Sequence, residues 1–169
     1  MPTSSTPDFS QFKLRVNIKA SVQAAYNAWA TAAGLESWFL RKAIFHDEKG
    51  NTRNANSAIQ SNDSYAMYWH GYPDEVVKKG KVVKANGKDQ FTFTFTENCP
   101  VSITISTEEN ETIVELFESE LPTDTTMPGK HFTGDSRGWI FYLANLKSVL
   151  EGGLDLRNKN EKIVNVITA

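Results

Sequence analysis

Among 169 residues the chain has a single cysteine, Cys99. A lone thiol makes no intramolecular disulfide, so the fold must rest on packing, and a reducing compartment is expected. No run approaches the ~20 consecutive apolar residues of a membrane span, and Met1 to Asp8 lack the basic start and apolar stretch of a secretory signal. These absences predict a cytoplasmic protein that does not enter a membrane. Excess charge is scarce as well: 18 Lys and Arg against 20 Asp and Glu leave a net charge of -2. With its basic residues dispersed, the chain is a poor match for nucleic acid or an anionic membrane surface.

Catalytic signatures are missing in turn. The sequence has no Gly-x-Ser-x-Gly elbow, no phosphate-cradling glycine loop and no dinucleotide fingerprint. His46, His70 and His131 stand without a second ligand at helical or zinc-ribbon spacing, so neither a metal nor a cofactor is expected. Cys99 precedes Pro100 with Glu97 nearby and no adjacent base, which raises a thiol pKa and disfavours a nucleophile.

What is present is an ordinary globular composition, 40% hydrophobic and 22% charged, without repeat or low-complexity tract. We expect one domain over residues 9–153, a flexible segment at 1–8 and a mostly polar tail at 154–169 that holds Ile163, Val164, Val166 and Ile167. A chain of this length buries roughly 68 to 70% of its unfolded surface and needs no staple.

The element pattern is explicit. Phe12, Leu14, Val16 and Ile18 alternate with Lys13, Arg15, Asn17 and Lys19, the period of a half-buried strand. Ser21 offers an N-cap, and Val22, Ala25, Tyr26, Trp29 and Ala33 form a helical stripe ending near Gly34. Leu35 to Leu40 predicts a further helical turn or two carrying Trp38 and Phe39, followed by a strand at Ala43 to Phe45. The polar stretch Asp47 to Asp63 is longer than the common loop and reads as mobile or functional. From Ser64 to Leu121 five runs separated by turn residues predict an antiparallel meander. Phe91, Phe93 and Phe95 share one face of their strand, and Val101, Ile103 and Ile105 share one face of the next. In Thr112 to Leu121 the register stays open, because Val114 and Leu116 compete with Ile113 and Phe117. A long terminal helix follows a loop containing Pro128 and Gly129, with Thr133 or Asp135 as its cap. Trp139, Leu143, Leu146 and Leu150 form its stripe, and Gly152-Gly153 its stop.

The opening strand, the Ala25-Tyr26-Asn27-Ala28-Trp29 helix, Trp38-Phe39, Gly80-Lys81-Val82 and Gly138-Trp139 with Leu143, Leu146 and Leu150 occur in a telling order. In that order and spacing they resemble the START-related, birch-pollen-allergen-like superfamily (SRPBCC), and within it the domain shared with activators of the heat shock protein 90 ATPase. The resemblance covers residues 9–153. It implies an α+β helix-grip fold, a curved antiparallel sheet wrapped around the long terminal helix, with two short helices after the first strand and room for a cavity between helix and sheet. It leaves function open, since lipid and hormone carriers, cyclases and chaperone activators share the fold.

Candidate ligand-binding residues are therefore Trp38, Phe39, Met67, Trp69, Phe91, Phe93, Phe95, Ile103, Ile105, Trp139, Tyr142, Leu143 and Leu146, because ligand pockets are mostly apolar and aromatic. Core filling is favoured for the same residues, since amphipathic patterning marks core positions whatever else they do. An empty cavity of about 300 Å³ would cost roughly 7 kcal/mol, against a typical domain stability of about 5 to 15 kcal/mol. A large pocket must therefore hold water or ligand, or be closed by aromatics. On the strand at 64–72, Met67 and Trp69 are expected to face inward and Tyr68 and His70 outward, while Tyr65, Tyr26 and Arg41 are further candidates. Glu115, Glu118 and Glu120 read as an acidic, solvated edge.

Three functions compete: a non-enzymatic domain binding a small hydrophobic ligand, a chaperone-linked or self-associating interaction domain, and a cyclase-like or hydrolytic enzyme using Tyr68, His70 or Arg41. Two-domain chaperone activators carry an additional amino-terminal domain, for which this chain leaves no room, so strong ATPase stimulation is not expected.

Overall fold

A computed structural model of the protein describes residues 7–123, 129–163 and 166–167. The expectations placed on residues 1–6, Pro128 and Val164 lie outside the described residues.

The first strand, β1 (Phe12–Ile18), forms where alternation predicts it, with Phe12 and Ile18 buried and Lys13, Arg15 and Asn17 exposed. Ser21 caps α1 (Val22–Ala30), its Oγ accepting the Ala24 N–H at 3.1 Å. The helix does not run on to Gly34. Thr31 ends α1 in extended backbone and caps α2 (Ala32–Trp38), its hydroxyl donating to the Asn27 carbonyl and accepting the Gly34 N–H, each at 2.9 Å. Gly34 is thus a contact within α2 rather than a helix stop. A Cβ at Gly34 would collide with the Asn27 carbonyl oxygen and lie 2.9 Å from Ala28 Cα, so its absence lets the two short helices close on each other.

Six more strands follow: β2 (Lys42–His46), β3 (Ser64–Tyr68), β4 (Lys78–Ala85), β5 (Gln90–Thr94), β6 (Pro100–Glu108) and β7 (Glu111–Glu118). They form a seven-stranded antiparallel sheet in the order β1-β7-β6-β5-β4-β3-β2. The pair α1 and α2 carries the chain from one edge to the other. With the closing helix α3 (Lys130–Leu150) this is the expected α+β helix-grip architecture. The glycine of Gly80-Lys81-Val82 admits the neighbouring strand's Tyr65 ring, because a Cβ there would come within 2.6 Å of Tyr65 Cζ.

Strand pairing resolves the open register. Val114 lies opposite Val16 and Ile105, and Leu116 opposite Leu14 and Ile103, so both face the core while Ile113 and Phe117 lie on the outer face. Parity then corrects the acidic edge. Glu115 points outward and pairs with Lys13 at 2.9 Å, whereas Glu118 points inward and has no exposed surface. Another correction concerns the cap of α3: Gly129, at φ 77°, precedes the helix, and Thr133 and Asp135 lie inside it.

Helix packing divides the sheet between two elements. The short α1 lies on β5, β6 and β7, and α3 lies against β1, α1 and α2. The stretch at 47–63 packs under the short helices: Ile59 is buried with its N–H donating to Ala30, and the Ala33 N–H donates to Ala55, each at 2.9 Å. Arg53 pairs with the buried Asp63. Past α3, Arg157 is buried and donates to the carbonyls of Leu40, Glu36 and Ser37 at 2.8, 3.0 and 2.9 Å, satisfying the open carbonyl end of α2.

Candidate functional site

The site forms where three segments converge on the first half of α3. Phe39 arrives from the end of α2, Trp69 from the loop after β3 and Phe95 from just beyond β5, and they meet Trp139 and Tyr142 of α3. Their rings interlock: Phe39 lies 4.6 Å from Tyr142 edge-on, 5.1 Å from Trp139 and 5.7 Å from Trp69, and Phe95 lies 5.2 Å from Trp139. Such offset and T-shaped pairs are the preferred aromatic geometries. These five rings wall a cavity of about 220 Å³. It opens to solvent past Tyr72 and Val76, which are 48% and 47% exposed.

Its floor belongs to α3, through Gly134, Asp135 and Gly138. A Cβ added at Gly134 or Gly138 would meet nothing within 4 Å, so neither glycine serves a close helix contact. Each costs helix stability, roughly 0.8 to 1 kcal/mol relative to alanine, and leaves volume to the cavity.

Two carboxyls sit at this end of the helix. Glu118 accepts the Trp139 indole N–H through Oε2 at 2.9 Å, and its Oε1 has no partner among the described residues. Burial, reinforced by the Asp135 charge and opposed by the indole hydrogen bond, pushes Glu118 up to about 8. For Asp135 burial raises the pKa as well, against the opposing influence of Thr96, His131 and Lys78, and Oδ2 is without a partner among the described residues. Cys99 lies near both; burial and then the charges of Glu118, Asp135 and Glu120 raise its pKa and keep it a thiol.

No protein-family model and no curated protein matches the chain. Solved structures do. The Aha1 dimer from Colwellia psychrerythraea superposes with a TM-score of 0.65 at 21% identity, over 85% of this chain and 97% of that one. The AHSA1-like protein from Aeromonas hydrophila superposes at 0.57 and 14% identity, covering 84% and 92%. The chain has the Aha1-like fold. A protein of Staphylococcus saprophyticus shares it at a TM-score of 0.69 and 16% identity, over 87% and 96% of the two chains.

Within this Aha1-like fold the candidate ligand residues separate into two groups. Phe39, Trp69, Phe95, Trp139 and Tyr142 line the cavity. The others, Trp38, Met67, Phe91, Phe93, Ile103, Ile105, Leu143 and Leu146, are buried in the solid core behind it. Trp38 stacks on the far side of Phe39 at 5.3 Å and donates its indole N–H to the Ala28 carbonyl at 3.0 Å. Of the polar candidates, Tyr26 accepts the Gly87 N–H at 2.8 Å and anchors the β4–β5 turn. Arg41 pairs with Asp74 and borders a separate polar cleft, and Tyr68 lies beside Arg41 and Lys42 on the outer face. His70 is half-buried, its pKa lowered by burial and then by Arg157 and Lys159. None of these four lines the aromatic cavity.

Asp135, Gly134 and Gly138 were not singled out as site residues by the pattern. Helical spacing carried the signal: 134 and 138 are four apart, and 135 and 139 are four apart, so a helix with Trp139 inward brings them to the same end of the stripe. For Glu118 the signal was its parity with Val114 and Leu116. Among the described residues no three His, Cys, Asp or Glu side chains gather as a metal site, and no helix is long and apolar enough to cross a membrane.

Proposed function

We propose that the protein is a binding domain that holds a small hydrophobic molecule in the cavity between α2, the end of β5 and α3. One observation carries the reading: an aromatic-walled space whose floor is kept clear by two helical glycines with no steric reason to be glycine. At about 220 Å³ it is smaller than the ~300 to 1,000 Å³ of drug-sized sites, so its occupant is a one- or two-ring molecule rather than a steroid. Native mass spectrometry of freshly purified protein and tryptophan-fluorescence titration with small aromatic compounds test this. A retained ligand or a saturable change, abolished by Gly138→Leu, supports the reading. A flat titration together with an empty mass spectrum sinks it.

The names carried by two structural neighbours, Aha1 and AHSA1-like, favour a second reading, a chaperone-linked interaction domain. The Colwellia protein is a dimer, which adds self-association to that reading. Added to heat shock protein 90, this chain is expected to leave the ATPase rate nearly unchanged. A robust increase would transfer the weight to the second reading, and sedimentation velocity reads the oligomeric state.

A further inference from the structure

We propose that the molecule taken by the aromatic cavity is a small organic cation, an aryl or alkyl ammonium whose charge sits between Asp135 and the surrounding ring faces. The proposal rests on the binding-domain reading and names its ligand class. Two observations converge on positive charge.

Among the described residues Asp135 is the carboxyl of the cavity lining, and no lysine, arginine or histidine lines the cavity with it. Charged and titratable groups face Asp135 from several sides: Lys78 on β4, Glu118 on β7 and His131 on its own helix, with Cys99 behind. Neither Lys78 nor His131 reaches Oδ2.

The rings supply the second observation. Cations are attracted to aromatic faces within about 6 Å of the centroid, most strongly to tryptophan. Phe39, Trp69, Phe95, Trp139 and Tyr142 all line the cavity, so a cation held there meets several rings, two of them tryptophan.

Alternatives fit less well. A neutral apolar ligand leaves Asp135 without a counter-charge in the cavity, and an anion meets its carboxylate. A phosphocholine headgroup would need a cationic partner for its phosphate, and among the described residues no lysine or arginine lines the cavity. A free ammonium is therefore the better match.

The test compares benzyltrimethylammonium with neopentylbenzene, which has the same shape without the charge, by tryptophan fluorescence on the full chain. At pH 8 the cation is expected to bind at least tenfold tighter, with the advantage shrinking as the pH is lowered, because burial raises the Asp135 pKa above the ordinary carboxylate value. Asp135→Asn should abolish the preference while retaining the neutral compound. Should that variant not fold, calorimetry of the natural chain in buffers of different ionisation enthalpy gives a second readout, since binding of a cation beside Asp135 should release protons. Phosphatidylcholine vesicles should leave the protein in the supernatant in co-sedimentation; capture by them overturns the free-ammonium assignment. Equal or tighter binding of the neutral compound overturns the cation proposal and leaves the cavity reading standing, whereas binding of neither overturns both.

Discussion

Glu118 and Asn145 are polar side chains with no exposed surface, and their surroundings treat them differently. Asn145 is satisfied: it donates to the Trp38 carbonyl at 2.6 Å and to Asp155 at 3.1 Å, and accepts the Leu156 N–H at 2.7 Å. Asn145→Leu should cost roughly 2 kcal/mol or more, because the Trp38 carbonyl and the Leu156 N–H both lose their partner; chemical denaturation measures it. Glu118 has one hydrogen bond, and its pKa rises from 4.5 to about 8. Between those values the folded state holds a proton that the unfolded chain has released, so stability falls as pH rises from about 4.5 to 8 and levels off above. Glu118→Gln keeps an oxygen for the Trp139 N–H and removes the titration. Its loss of stability between pH 5 and pH 9 should be smaller than that of the natural chain by roughly 4 kcal/mol, read from denaturant midpoints at each pH. An unchanged pH slope would contradict the buried, protonated carboxyl.

At the scale of elements, helical glycines divide by what surrounds them. Gly34 is pressed between α1 and α2, and Gly34→Ala should destabilise by about 1 to 3 kcal/mol despite the helix propensity gained. Gly138 faces open space, and Gly138→Ala should stabilise by about 0.5 to 1 kcal/mol while narrowing the cavity. Thermal unfolding of the pair gives opposite signs if the cavity floor is as described. Sequence alone distinguishes these two glycines poorly, because both interrupt a helical stripe and the difference lies in a neighbour contributed by another segment. The α1–α2 break shows the same limit. Ser21 as a cap is legible from its place before an apolar stripe, whereas Thr31 lies inside a stripe that runs unbroken through it. In β7 two apolar pairs of opposite parity left the face undecided until Leu14, Val16, Ile103 and Ile105 were seen across the ladders.

The whole molecule is closed by a segment outside the helix-grip pattern. Arg157, paired with Asp155 at 2.6 Å, ties the chain after α3 to the end of α2, next to Phe39 and the cavity wall. Truncation after Gly153 should destabilise the protein by roughly 2 to 4 kcal/mol, as the α2 carbonyls lose their donor and Asn145 loses two partners. Circular dichroism melts of the two lengths check it, and an unchanged midpoint would mean the strap is energetically idle.

By itself the sequence determined the strands, the capped first helix, the terminal helix and the order that makes a helix grip, because burial on one face imprints a period of 2 or 3.6 on neighbouring residues. It also marked the aromatic inventory. Only the tertiary structure decided which five of those aromatics surround space and which fill the core, and that Glu118, Asp135 and Arg157 belong inside. Those outcomes depend on distant segments arriving together, and no local period records a neighbour far away along the chain.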